Sequence, residues 1–348
     1  MTDLTLFPEK LFFQELEKRW KQNTLEVRDI WLILCGLVIR IRFADSQLRT
    51  TLTMPFTRLV VKPQKQADLT ILAGSGDTLA LPELPFPATA FGRRCELMTA
   101  PESGIEASFM MGPDILSMLD HEHRTAIYWI RDGGAVPAFE QAAPFRHLFH
   151  WYLRRHGWVL VHAAAIGLDG FAVLICGKGG SGKSTLAAAT WNRAKWKFAG
   201  DDYCAVSLKP PHVVVPVYPS AKLTAESVRM LSLVVPEHSP GDGEKSILFA
   251  PSAIPGQLVD RLQIIGLVVP SCASISIPTT RLTPAEAARH LVVSTLYQMP
   301  HAGEKDLRDL TRIARNLPAW RVSVPRDRPQ DALEVVAAIL ERTESDRI

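Results

Sequence analysis

The first clear periodicity lies between Phe7 and Gln22, where Leu11, Phe12, Leu16 and Trp20 recur near the 3.6-residue spacing of a helix with one apolar face. The apolar run Ile30 to Phe43 follows and reads as a buried strand, or as a strand pair about Gly36. From Thr50 to Arg131, short apolar runs (Leu69 to Leu72, Ala126 to Ile130) alternate with punctuation such as Pro82 to Pro87, ahead of Gly133-Gly134. That pattern predicts a small, strand-rich α/β domain over residues 1–140. Phe145, Leu148, Phe149, Tyr152 and Leu153 then fall at i, i+3, i+4, i+7 and i+8 behind Pro144, which predicts a helix ending at Gly157 and opening a second domain, 141–348.

Within that second stretch the pattern predicts strands at Val159 to Ile166 and Phe171 to Cys176, and a helix from Lys183 to about Lys195. Further strands follow near Phe198 to Gly200, Tyr203 to Leu208 and Ile264 to Val269. Such a succession suits an α/β nucleotide-binding core. Thr283-Pro284-Ala285-Glu286 carries the signature of a capped helix start: Thr at the cap, Pro at the first helical position, Glu three residues after the cap. Leu307, Leu310, Ile313 and Ala314 mark another helix, and Asp327-Arg328-Pro329-Gln330 begins a last amphipathic one through Leu333, Val336 and Leu340.

Composition narrows the class. At 348 residues and 47% hydrophobic content the chain can bury more than one core. Its net charge of +3 is the small difference between 39 basic and 36 acidic residues, which argues against a nucleic-acid partner. Five cysteines, widely spaced and without a CxxC pair, suit a reducing, cytoplasmic setting. The start Met1 to Leu4 does not lead into a secretory signal. The most apolar stretch, Trp158 to Gly177, has about the ~20 residues a bilayer requires, but Asp169-Gly170 divides it and His162 lies inside it. Two buried strands joined by a turn are expected there, and no membrane partner.

Three groups of residues carry chemistry. Gly177-Lys178-Gly179-Gly180-Ser181-Gly182-Lys183-Ser184-Thr185 fits the phosphate-binding P-loop pattern, directly behind an apolar strand. Glycines let successive backbone amides turn inward around phosphate oxygens; Lys183 is placed to bridge the terminal phosphates and Ser184 to hold Mg²⁺. Gly200-Asp201-Asp202, with Asp201 eighteen residues after Lys183, is the second group. One carboxylate there can accept the proton of an attacking hydroxyl and the other can position Mg²⁺. A polar turn between strands is the plain alternative. The third is His162, on the apolar segment before the P-loop strand.

In this order and spacing, Val-His-Ala-Ala-Ala-Ile, the P-loop and Phe-Ala-Gly-Asp-Asp-Tyr resemble the HPr kinase/phosphorylase family. The match covers about Val159 to Leu208, and continues more loosely through Ser220-Ala221-Lys222-Leu223. The resemblance implies an α/β P-loop kinase domain of HPr-kinase type behind the smaller N-terminal domain. It also implies transfer of the γ-phosphoryl group of ATP, with Mg²⁺, to a serine hydroxyl. Asp201 or Asp202 would be the base, His162 would lie near the transferred group, and Lys222 would join the nucleotide site. Lys178, Gly179 and Thr185 depart from the loop of family members that act on HPr, and the family's downstream glycine-rich signature has no counterpart here. The pattern looks closer to divergent HPr-kinase-like proteins of lasso-peptide and other peptide-maturation systems. The partner expected is therefore a peptide or protein with an acceptor serine, held by the N-terminal domain; self-association is left open. A small-molecule kinase and a non-catalytic nucleotide sensor are the competing classes.

Weaker signals receive plainer readings. Asp120-His121-Glu122-His123 reads as a solvated turn, and His147, His150 and His156 as packing or surface groups. Arg93, Arg94, Arg154 and Arg155 read as surface charges. Glu244-Lys245 reads as a loop pair that either reaches phosphate or substrate or is simply solvated.

Overall fold

The computed structural model describes residues 7–22, 29–236, 239–250, 257–273 and 278–345. The segment Met1 to Leu4, read above for a targeting signal, lies outside them. The fold is mixed α/β and divides into two units, one of Met1–Arg155 with Met299–His301, the other of His156–Gln298 with Ala302–Ile348.

In the first unit, helix α1 (Pro8–Gln22) places Phe12, Phe13, Leu16 and Trp20 on one buried stripe, as its periodicity requires. Strands β1 (Asp29–Leu34) and β2 (Leu37–Phe43) form a hairpin turned by Cys35-Gly36, both with positive φ, the geometry that matches the twist of the paired strands. After α2 (Ser46–Thr53), β3 (Val60–Val61) and β4 (Leu69–Ser75) come β5 (Ile105–Met110), β6 (Ile115–Asp120) and β7 (Thr125–Ile130). The sheet order is β3-β1-β2-β4-β7-β6-β5, with β2/β4 and β4/β7 parallel and the other pairs antiparallel. Side chains alternate across each strand, so Leu72, Ile127 and Trp129 meet the α1 stripe on one face.

Two short helices follow, α3 (Ala138–Ala142) and α4 (Arg146–Leu153). The helix expected to open the second domain is α4. It belongs instead to the first unit, and the division falls at Arg155/His156. Packing explains this. All eight α4 residues are buried; Phe145 stacks on Phe56 and Phe149 meets it edge-on, with Phe145 also edge-on to Tyr128 at 4.8 Å between centroids. Three of the plainer readings are corrected here too. Arg154 is no surface charge: its side chain pairs with Glu106 and donates to the carbonyl of His301 at 2.8 Å. Arg94 is part-buried against Glu96. His121, inside the turn read as solvated, is part-buried, with its imidazole largely covered at 2.6 Å from the Glu106 carboxylate. In that turn Asp120 accepts the backbone amides of Glu122 and His123.

The second unit is built on a nine-stranded sheet among the described residues. Its strands are β8 (Trp158–Val161), β9 (Ala164–Leu168), β10 (Phe171–Ile175), β11 (Lys197–Gly200), β12 (Cys204–Ser207), β13 (Val213–Pro216), β16 (Leu262–Ala273), β17 (Thr280–Leu282) and β18 (Ala319–Pro325). The pair β14 (Ser220–Thr224) and β15 (Lys245–Phe249) forms a separate two-stranded ribbon. Helices α5 (Lys183–Ala188), α6 (Ala225–Met230), α7 (Pro284–Leu296), α8 (Glu304–Asn316) and α9 (Asp331–Ser345) complete it. Val173 and Ile175 pack with Leu186 and Val336 on one face, while Ala172, Leu174 and Cys176 pack with Leu291, Leu310 and Ile313 on the other. Burial on both faces is why this strand reads as an unbroken apolar run.

Two expected elements are shorter than the pattern suggests. The strand expected over Val159 to Ile166 is interrupted at His162-Ala163, because β8 pairs with β12 whereas β9 pairs with β10 and β11. The amides at the break are satisfied off the ladder: His162 N donates to Thr295 Oγ1 and Ala163 N to the Val161 carbonyl. The helix expected to run to Lys195 ends at Ala188, where Thr190 and Trp191 turn to carbonyls three residues back. The capped start at Thr283 is present in full, with Thr283 Oγ1 accepting from Glu286 N and Glu286 reaching back to Thr283 N.

Candidate functional site

Strand direction brings the three sequence groups together. β10, β16 and β18 run parallel, so the loops that leave their C-terminal ends share one edge of the sheet. β9 is antiparallel to both β10 and β11, with Ala164 opposite Ile175 and Ala165 opposite Gly200. The N-terminal end of β9, which carries His162, therefore lies beside the ends of β10 and β11, which carry the P-loop and the aspartates. A cavity of about 380 Å³ opens at this edge. It is lined by His162, Gly179, Gly180, Gly182, Lys183, Ser184, Thr185, Asp201, Asp202 and Lys222 from the sequence-derived set. Gly177, Lys178 and Ser181 lie in the same loop but do not line it.

The loop requires glycine at Gly182. Its φ is +97°, in the left-handed region, and a Cβ there would stand 2.9 Å from Cys272 Sγ. Lys183 Nζ crosses the loop to the carbonyls of Gly177 (2.9 Å) and Lys178 (3.1 Å). Burial pushes the Lys183 ammonium's pKa down, while the charges of Asp201 and Asp202 pull it back up.

The two aspartates, though adjacent, sit in opposite environments. Tyr203 N donates to the Asp201 carbonyl at 2.9 Å, closing a three-residue turn about Asp202, whose φ is +68°. Asp201 is only 1% exposed, lies on the cavity wall, and has no hydrogen-bond partner on either carboxylate oxygen; the Ser184 hydroxyl faces it outside bonding geometry. Burial, and then the neighbouring Asp202 charge, raise its pKa above the ordinary carboxylate range. Asp202 is the reverse case. Its Oδ2 accepts from Lys222 Nζ at 2.5 Å and its Oδ1 lies 3.1 Å from His162 Nε2. Burial alone would raise this carboxyl, but Lys222 and His162 outweigh it and hold it well below the usual range.

Two residues that no motif announced, Arg326 after β18 and Cys272 near the end of β16, complete the wall. Of Glu244-Lys245, Lys245 does line the cavity, from the first position of β15 and not from a loop. Thr185 Oγ1 and Ser227 Oγ are 3.0 Å apart, tying the P-loop helix to α6. Cations from four places, Lys183, Lys222, Lys245 and Arg326, thus face one cavity, the charge distribution that polyphosphate requires. The donor set also fits a hard divalent cation, since Asp201 supplies two unpartnered carboxylate oxygens opposite the Ser184 hydroxyl.

No family model matches the chain, and no curated protein matches it. Among solved structures it is similar to the HPr(Ser) kinase/phosphatase from Coxiella burnetii, at 12% identity and a TM-score of 0.30, over 54% of this chain and 97% of that one. A likeness so distant leaves the weight on the side chains themselves. Elsewhere, Asp120, Glu122 and His123 bring ligand-type atoms within 4.8 Å, but Asp120 is already engaged by the amides of its own turn. No helix among the described residues is long and apolar enough to cross a membrane.

Proposed function

We propose that this chain is an ATP- and Mg²⁺-dependent kinase that transfers the γ-phosphoryl group to a serine of a peptide or protein. A ribosomally made precursor peptide, of the lasso type or a similar one, is the preferred substrate. The observation that carries the reading is the meeting of the P-loop lysine, an unpartnered buried Asp201 opposite Ser184, and a restrained Asp202 at one cavity.

The roles follow from the two environments. Ser184 and Asp201 are the residues to hold Mg²⁺, which would neutralise phosphate charge when bound. Lys183 and the loop amides bind the terminal phosphates. Asp202 is the acceptor-facing group: its side chain is 20% exposed, and Lys222 and His162 keep it ionised. In the transfer, the serine oxygen forms a bond to the γ-phosphorus and the bond to the β–γ bridging oxygen breaks. The serine proton passes to Asp202 and ADP leaves. A loose transition state asks little basicity of that carboxylate, so positioning matters more than a high pKa. Lys222 and His162 supply that positioning.

The test is mass spectrometry of precursor peptides encoded beside the gene, incubated with Mg²⁺ and ATP. The unaltered protein should add phosphate to a serine, and Asp202→Asn should slow transfer by about 10²–10⁴-fold with the KM for ATP little changed. Phosphate appearing on a metabolite alone would overturn the peptide half of the proposal. ATP binding without transfer to any acceptor would overturn the kinase reading.

A further inference from the structure

His162 is held at three points. Its backbone amide donates to Thr295 Oγ1 at 3.1 Å, its Nε2 faces Asp202 Oδ1 at 3.1 Å, and its Nδ1 faces Gln298 Nε2 at 3.1 Å. Thr295 lies in the last turn of α7 and Gln298 three residues on, so one stretch of chain fixes both the backbone and the ring. The Gln298 amide is itself oriented, because its Oε1 accepts from the Tyr203 hydroxyl. Tyr203 is buried, its ring tilted against His162 at 5.4 Å between centroids and set edge-on to Tyr218. It follows Asp202 directly, so the turn that presents the carboxylate also presents the phenol.

We propose that Gln298, oriented by Tyr203, is a positioning residue that fixes His162 as its Nε2–H tautomer, so that the ring donates to Asp202. An amide NH₂ can only donate, and a ring nitrogen that accepts from it carries no proton. An ionised carboxylate can only accept, so the other ring nitrogen must carry the hydrogen. With the amide reversed, Gln298 Oε1 would face Nδ1 and require a proton there, and the Tyr203 hydroxyl would have to accept instead of donate. Gln298 does not line the cavity, so it acts through His162 and not on nucleotide.

The kinetic consequence rests on the kinase reading, whereas the tautomer does not. The test therefore has a spectroscopic arm and a kinetic arm. Two-bond ¹H–¹⁵N correlation spectra of histidine-labelled protein are recorded above the ordinary histidine pKa of about 6.5. The His162 ring is identified as the pattern missing from His162→Gln. The unaltered protein should show the proton on Nε2. Gln298→Leu and Tyr203→Phe should each move the pattern toward exchange between tautomers, and Gln298→Glu, an acceptor only, should draw a proton onto Nδ1. In the kinetic arm Gln298→Leu should lower kcat about tenfold, the lower end of the loss known for outer partners of metal-bound histidines, with the KM for ATP unchanged. Thermal melts and ATP binding establish that each variant is folded. A His162 proton on Nδ1 in the unaltered protein, or an unchanged ring pattern in Gln298→Leu, would overturn the inference. Loss of the kinase reading would show instead as no transfer by the unaltered protein, with the ring spectrum still deciding the tautomer.

Discussion

Asp201 and Asp202 share a peptide bond and a buried setting, and differ in the partners that decide a carboxylate's energy. Asp201 is buried without a partner, so its ionised form is costly to the folded chain. The sign follows from its raised pKa. The folded state binds that proton more tightly than the unfolded state. Stability gained from it is fully present below the unfolded value of about 3.9 and is lost as pH rises through the folded pKa. Asp201→Asn should therefore raise Tm at neutral pH in the absence of divalent cations, and the advantage should shrink as pH falls through that folded pKa. Mg²⁺ should raise the Tm of the unaltered protein but not that of the variant. Asp202 has the opposite sign, since its depressed pKa contributes stability above the unfolded value and loses it only as pH falls through the folded one. Asp202→Asn should cost about 1–3 kcal/mol, because Lys222 and His162 lose a charged acceptor. Thermal melts of both variants across pH check the pair of signs; two shifts in the same direction would refute the division of roles. At this scale the sequence supplied the residue types but not their environments. Gly-Asp-Asp reads alike whether its carboxylates are bare or paired, because Lys222 and His162 lie 20 and 40 residues away. Arg154 was misread for the same reason, its partner Glu106 lying on a distant strand.

Elements were legible wherever one local rule governed them. The stripe of α1, the Cys35-Gly36 hairpin and the Thr283 cap each follow from short-range spacing. The cap can be tested by itself: Thr283→Ala should cost about 1 kcal/mol in urea unfolding, since the amide of Glu286 loses its acceptor. The P-loop makes a sharper case. Gly182→Ala forces a side chain into φ +97° and against Cys272 Sγ, so ATP affinity should fall and stability drop by about 1–3 kcal/mol. Adding Cys272→Ala should restore only the part due to contact. Full recovery in the double variant, read by calorimetry and ATP titration, would contradict the backbone argument. The break at His162-Ala163 was not legible, because a buried bend between two buried strands keeps the composition of one buried strand. That bend nevertheless gives His162 its place at the cavity.

At the scale of the molecule, the order of motifs in the chain is not the order of strands in the sheet. Sequence shows His162, the P-loop and the aspartates in succession; the topology β11-β9-β10-β16 places their ends side by side. The same edge collects Cys272 and Arg326, which no motif flags, because parallel strands β16 and β18 end there. A position at the end of a strand carries no local signal, so only the completed sheet reveals it. Phosphoryl transfer at this edge would show in quantitative mass spectrometry of candidate precursor peptides incubated with Mg²⁺ and ATP. The unaltered protein should add one phosphate to a serine, and the rate should be lower by about 10²–10³-fold with Lys183→Ala and with Asp201→Asn. Equal phosphate incorporation by the unaltered protein and both variants, or none by the unaltered protein while it binds ATP, would contradict transfer at this edge.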